Sequence, residues 1–127
     1  MPVNVLIVDD SKLARIVAGK ALAELQPEWQ KLEASSAEQA LDIIATQIPD
    51  LALIDFNMTE KDGLELATEL RALYPDLPIA IITANIQDEI VARARAIDAA
   101  FVAKPLTSAG LEDFLSGAAL RLRSKKT

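Results

Sequence analysis

Five polar residues stand where apolar runs of the chain end. Asp9 and Asp10 follow Val5-Leu6-Ile7-Val8, Asp55 follows Leu51-Ala52-Leu53-Ile54, Thr83 follows Ile79-Ala80-Ile81-Ile82, and Lys104 follows Phe101-Val102-Ala103. If these runs are neighbouring parallel strands, three carboxylates, a hydroxyl and an ammonium meet at one edge of one sheet. Three carboxylates so close cannot all stay ionised unless a cation offsets them. Magnesium suits such a set, because it takes oxygen ligands, keeps several waters and often bridges to phosphate. Lys104 offers a compact positive charge for a phosphate oxygen, and Thr83 a hydroxyl donor. A carboxylate can itself attack a phosphoryl group to give an acyl phosphate. The metal and the lysine would offset the charge spread over the transferring group.

Taken singly, each residue has a plainer explanation. Asp9-Asp10 fits a turn and a cap, Asp55 a loop acid, Thr83 a strand end and Lys104 a surface charge. Chance does not readily explain all five falling at the same end of adjacent strands.

The rest of the sequence supplies elements to position them. Residues 3–8 read as a buried strand. Ser11 caps a helix with Leu13, Ile16, Val17, Ala21 and Leu25 as its apolar face, ended by Pro27. Residues 32–34 alternate in charge and suit an edge strand. Ser36-Ala37-Glu38-Gln39 is a capping box that opens a helix to about Gln47. Residues 51–54 are continuously apolar, as in a strand covered on both faces. Asp62-Gly63 marks a turn, and residues 64–73 a third helix that stops before Pro75. Residues 79–82 form a strand and 86–97 a helix with Ile90, Val91, Ala94 and Ile97 on one face. Residues 99–103 form the last strand, and Thr107 or Ser108 opens a final helix bearing Leu111, Phe114, Leu115, Ala118 and Leu122. Strands alternating with helices predict an α/β domain with an open, doubly wound parallel sheet. With the weak strand at an edge, the flavodoxin-like order 2-1-3-4-5 follows. Ligands in such sheets bind beyond the carboxyl ends of the strands, where the order reverses, and Asp9, Asp10 and Asp55 follow the two strands that flank that point.

Composition narrows the function classes. At 127 residues the chain has room for one domain, and 51% hydrophobic residues argue against disorder. No apolar run is long enough to span a membrane, and the start Met1-Pro2-Val3-Asn4 lacks the features of a secretion signal. Absence of cysteine excludes thiol chemistry, and absence of histidine removes the usual general base and zinc ligand. With 13 basic and 19 acidic residues, a net charge of −6 does not favour nucleic acid as a direct partner. Arg121, Arg123, Lys125 and Lys126 read as a solvated helix end, where cations complement the helix dipole. The expected organisation is one domain over residues 1–123 with a basic tail at 124–127.

Val8-Asp9-Asp10-Ser11, Asp55-Phe56-Asn57-Met58, Asp62-Gly63, Thr83-Ala84 and Lys104-Pro105 together resemble the receiver domain of two-component response regulators, over essentially the whole chain. The resemblance implies that Asp55 is the phosphoacceptor. It implies that Asp9, Asp10 and Asp55, with the backbone carbonyl of Asn57, hold Mg²⁺, and that Thr83 and Lys104 contact the phosphoryl oxygens. A cis Lys104–Pro105 bond would aim the lysine. Thr83 would move inward on phosphorylation and Phe101 would follow it, although plain core packing explains Phe101 equally well. Small Ala84 would leave a path for the phosphodonor. Thr59 stands where the family usually has proline, which alters the loop but removes no ligand, and Asn57 and Asn85 occupy variable positions beside the site.

The implied function is a cytoplasmic phosphorylation switch, catalysing nothing beyond its own phosphorylation and dephosphorylation. A histidine kinase or histidine phosphotransfer protein would donate to Asp55. A downstream protein, or a second copy of the chain, would bind a face built from helix 86–97, strand 99–103 and the last helix. A receiver within a longer regulator fits the same residues. A magnesium-dependent phosphohydrolase fits less well, because it needs a second acid two residues after the nucleophile, where this chain has Asn57. A phosphorylation-independent adaptor would not need the intact five-residue set.

Overall fold

In a computed structural model of the chain, residues 3–58, 62–84, 87–104 and 106–125 are described, with side chains as far as Ala118. Five strands alternate with five helices: β1 (Asn4–Val8), α1 (Lys12–Leu25), β2 (Gln30–Ala34), α2 (Ala37–Ile44), β3 (Leu51–Asp55), α3 (Gly63–Leu73), β4 (Ile79–Thr83), α4 (Asp88–Ala96), β5 (Ala100–Ala103) and α5 (Ser108–Lys125). The strands form one sheet in the order β2-β1-β3-β4-β5, and every pairing is parallel.

The apolar runs produce this sheet because alternate residues of each strand face opposite layers, and both layers are covered. Val5, Ile7, Leu51, Leu53, Ala80, Ile82 and Val102 face α1 and α5, meeting Ala18, Ala21, Leu22, Leu111 and Leu115. Leu6, Val8, Ala52, Ile54, Ile79 and Ile81 face the layer of α2, α3 and α4, meeting Ala40, Leu66, Leu70, Ile90 and Ala94. All five residues of β3 and of β4 are buried. Each fully buried leucine or isoleucine there contributes about 1.5–3 kcal/mol. These interiors hold the strand ends that carry the polar residues.

Local signals resolve differently in several places. Asp62-Gly63 is a helix start rather than a turn. The Asp62 side chain accepts from Glu65 N–H at 2.8 Å while the Glu65 carboxylate accepts from Asp62 N–H at 3.2 Å, a full capping box. The box at Ser36 is only half made. Ser36 Oγ accepts from Gln39 N–H, but the Gln39 side chain reaches back one residue further, to Ser35 N–H. That helix ends at Ile44 rather than near Gln47. Thr107 caps α5, its hydroxyl accepting from Gly110 N–H at 3.0 Å. α4 is shorter than its periodicity, beginning at Asp88 without a side-chain cap; Asn85 and Ile86 lie outside the described residues. α5 runs from Ser108 to Lys125.

The apolar face of α1 divides. Ala18, Ala21 and Leu22 are buried, whereas Leu13, Ile16 and Val17 are 70%, 43% and 40% exposed. The helix buries its second half, so Leu13, Ile16 and Val17 of its first turns stand exposed beside the carboxyl edge.

At the opposite end of the molecule Arg71, in the last turn of α3, gathers carbonyls. Its Nε donates to Ile97 O at 2.7 Å, Nη1 to Pro75 O at 2.9 Å and Tyr74 O at 3.2 Å, and Nη2 to Asp98 O at 3.1 Å. Ile97 and Asp98 form the exit from α4, where Asp98 adopts a positive φ of 55°. Nearer the carboxyl edge, Arg93 of α4 lies 3.4 Å from the Asp62 carboxylate that caps α3.

Candidate functional site

The strand register decides which polar residues meet. Val8 is level with Ile54, so Asp55 of β3 stands beside Asp9, with Asp10 one residue further out. Asp55 is level with Ile82, and Thr83 with Ala103, so Thr83 and Lys104 come next along the same edge. Lys104 N–H extends the ladder by donating to Thr83 O at 3.0 Å. The carboxylates of Asp9, Asp10 and Asp55 each place an oxygen within 4.8 Å of the others. The Nζ of Lys104 stands 2.5 Å from Asp55 Oδ1.

Burial separates the three acids. Asp55 is 2% exposed and Asp9 7%, while Asp10 is open to solvent. Burial pushes the Asp55 carboxyl above the usual carboxylate range; the contact with Lys104 opposes this, Asp10 reinforces it, and the N–H of Asn57 opposes it again. Asp9 is raised for the same first reason. Ser11 N–H, donating to its Oδ1 at 2.9 Å, pulls it down, and Asp55 pushes it up. Asp55 Oδ1 is withdrawn from water, and no hydrogen bond of good geometry reaches it among the described residues; Lys104 meets it as an ion pair. Buried oxygens with excess negative charge and too few donors fit a hard cation, and an all-oxygen set fits magnesium better than a transition metal.

Thr83 is fully buried. Its place in the register puts it on the same sheet face as Phe101, whose partner is Ile81, two residues before Thr83. Phe101 is half-buried against the layer that includes Ile90 and Ala94. Ala84 and Asn57 are exposed. Thr59, Asn85 and Pro105, and with Pro105 the isomer of the Lys104–Pro105 bond, lie outside the described residues.

Three features of the site escaped the sequence reading. Gly63 packs so closely that a Cβ there would stand 2.3 Å from Asp55 O and 2.9 Å from the Phe56 Cα. Its N–H also donates to Phe56 O at 3.0 Å. The Asp-Gly pair is visible in sequence, but only the folded backbone tells a close approach from a turn. The second is Arg15, whose Nη1 donates to Asp9 O at 2.6 Å. Nothing in the sequence distinguishes it from the other cations of a solvated helix. The third is a cleft of about 270 Å³ beside the acids, between α1 and the segment after β5. Leu13, Val17 and Leu106 give it apolar walls, and Asp9, Ser11 and Lys104 a polar end.

Comparison with known proteins converges on one family. The model for the response regulator receiver domain matches residues 5–116. The response regulator MprA of Mycolicibacterium vanbaalenii is 34% identical over 120 residues, covering 91% of this chain and 48% of that protein. The chain thus spans about half the length of the curated relatives it matches. Among solved structures, a response regulator from Chloroflexus aurantiacus superposes with a TM-score of 0.82 at 26% identity, covering 93% of this chain and 98% of that one. The chemotaxis protein CheY4 of Vibrio cholerae, at 24% identity and a TM-score of 0.84, covers 93% and 99% and shares the fold. With its sheet order, its acidic edge and a family match across the strands that build that edge, the chain belongs to the response regulator receiver domains of two-component signalling.

Proposed function

We propose that the domain is a phosphorylation-controlled switch of the cytoplasm in which Asp55 accepts a phosphoryl group from the phosphohistidine of a kinase or phosphotransfer protein. The observation that carries this reading is the contact of Lys104 with a buried Asp55 that shares its surroundings with two further carboxylates. Asp9, Asp10 and Asp55, with the backbone carbonyl of Asn57, would hold Mg²⁺. Bound there, the ion would draw negative charge from the phosphoryl oxygens and lower the repulsion that three carboxylates present to an anionic donor.

The residues of the chain do the rest. An oxygen of Asp55 attacks phosphorus, the P–N bond of the donor breaks, and the imidazole nitrogen keeps the electron pair. Lys104, already beside Asp55, moves its charge from the carboxylate to a phosphoryl oxygen, which costs little reorganisation. Thr83 donates its hydroxyl to another oxygen. Ala84 is small and exposed, so it leaves the approach open. The exposed Leu13 and Val17 line the same cleft, and with exposed Ile16 on the same helix they offer an apolar surface where a donor helix presenting its histidine to Asp55 would rest. Output would pass from Thr83 to Phe101, which share a sheet face, and from there to α4, β5 and α5 for partner binding or dimerisation.

The test is to incubate the protein with a small acyl phosphate and Mg²⁺ and to follow its intact mass. A gain of one phosphoryl group is expected, absent in Asp55→Asn and absent with a chelator. An unmodified wild-type mass, or a gain that survives Asp55→Asn, would remove Asp55 as the acceptor.

A further inference from the structure

We propose that Arg15 is a positioning residue for the acidic pair, holding the Asp9–Asp10 peptide so that both carboxylates face the Asp55 site. This rests on the reading of Asp9, Asp10 and Asp55 as a magnesium site.

The β1–α1 junction is short and each of its anchors is identifiable. Asp9 N–H donates to Ala34 O at 3.0 Å, continuing the ladder onto β2. Asp9 Oδ1 accepts from Ser11 N–H at 2.9 Å. Asp9 O accepts from Arg15 Nη1 at 2.6 Å, a charge-assisted bond at the short end of the range. Among the described residues no hydrogen bond reaches the remaining oxygen of Asp9, Oδ2. The Asp10 carboxylate has no hydrogen-bond partner among the described residues, so only the backbone directs it. A peptide unit is planar, and fixing the Asp9 carbonyl therefore fixes the plane from which the Asp10 Cα departs. Remove the guanidinium and that plane is held on one side only, with Asp10 free to swing towards solvent.

Arg15 is built for this task rather than displayed on the surface. Its side chain is 15% exposed, and its Nε is 3.3 Å from Glu33 Oε1 on β2. A lone guanidinium so near would repel a dication. The Glu33 carboxylate offsets that charge, so the geometric effect dominates. Groups that orient metal ligands from behind typically change metal affinity by 10–100-fold when removed.

The experiment is a calorimetric titration of the whole chain with Mg²⁺ alone, with the thermal midpoint measured in parallel without metal. Arg15→Met keeps the aliphatic stem and deletes the donors; Arg15→Lys keeps one donor able to reach the same carbonyl. The expected result is a Kd about 10-fold weaker for Arg15→Met, with most of the affinity recovered in Arg15→Lys. A purely structural role predicts a lower midpoint for Arg15→Met with an unchanged Kd for the folded protein, and that result overturns the proposal. So does a loss of affinity that lysine fails to restore. Asp10→Asn separates the two levels. If wild type binds no Mg²⁺, the metal-site reading itself fails. If wild type binds and Asp10→Asn does not, while Arg15→Met binds normally, only the role of Arg15 fails.

Discussion

Asp10→Asn should make the metal-free protein more stable, and the size of the effect follows from the geometry. Asp10 is exposed and its carboxylate makes no hydrogen bond among the described residues, so an isosteric amide changes little except charge. Its oxygen lies within 4.8 Å of oxygens of Asp9 and Asp55. At such a separation two unit charges repel by about 1 kcal/mol if bulk water screens them and about 3.5 kcal/mol at an effective dielectric near 20. Lys104 offsets the Asp55 share, and the exposure of Asp10 favours the aqueous limit, leaving roughly 1 kcal/mol from the Asp9 pair. For a domain of this size that corresponds to a rise in Tm of about 4 °C. Calorimetry in a chelator at pH 7 and low salt measures it.

The sign with pH is fixed by the upward shifts of Asp9 and Asp55. An acid whose folded pKa is raised costs stability at high pH, and that cost is relieved as pH falls through the raised value. Wild type should therefore gain on Asp10→Asn as the solution is acidified, and the difference between them should close. Magnesium held at the proposed site should reverse the order at neutral pH, since wild type would gain RT ln(1 + [Mg²⁺]/Kd) and the variant would not. An unchanged or lower Tm for Asp10→Asn in chelator would show that the three acids do not repel as placed, and the argument for a cation would fall with it.

Lys104→Met should slow phosphorylation by an acyl phosphate by about 100-fold, as for loss of one preorganised charge contact, and mass spectrometry over time reads the rate. A rate within a few-fold of wild type would exclude Lys104 from the transferring group. Gly63→Ala forces a Cβ towards Asp55 O, where 2.3 Å is left for it. Because the obstacle is backbone, the cost should reach or exceed the 1–3 kcal/mol usual for overpacking, visible as a lower urea midpoint. Paired replacement of Leu13 and Val17 by serine should leave stability within about 1 kcal/mol, since exposed positions tolerate change. It should also slow transfer from a phosphohistidine protein while sparing transfer from acetyl phosphate; equal slowing of both would remove the docking role.

Much of the site was legible because strand ends are legible. Continuous apolar runs name the strands, and the residue after each run must lie at the carboxyl edge, so Asp9, Asp55, Thr83 and Lys104 could be placed together without coordinates. The edge position of β2 was equally plain from the alternation around Leu32. What sequence periodicity cannot supply is the relation of a helix to what covers it. Leu13, Ile16 and Val17 fit one stripe with Ala21, yet half that stripe is exposed, because amphipathic spacing is the same whether the apolar side meets a core or a partner. Gly63 and Arg15 were hidden for a related reason. Their importance lies in contacts with backbone oxygens of Asp55 and Asp9, and a backbone atom leaves no residue type to read.

The carbonyl contacts of Arg71 give α4 a fulcrum. Four charge-assisted bonds, two of them to Ile97 and Asp98, secure the exit of that helix, whereas its tie nearer the acids is the partly exposed Arg93–Asp62 pair at 3.4 Å. Such an exposed pair is worth at most about 1 kcal/mol. Among these polar ties the firmer ones lie at the exit, so they favour a swing about Ile97, opposed nearer the start by the buried Ile90. Over nine residues, at about 1.5 Å each, a tilt of about 10° carries the first turn roughly 2 Å and leaves the last in place. If Thr83 acts as proposed, small events beside it would be delivered as movement of the helix end nearest to them, with the far end of α4 as the fixed point against which that movement is measured.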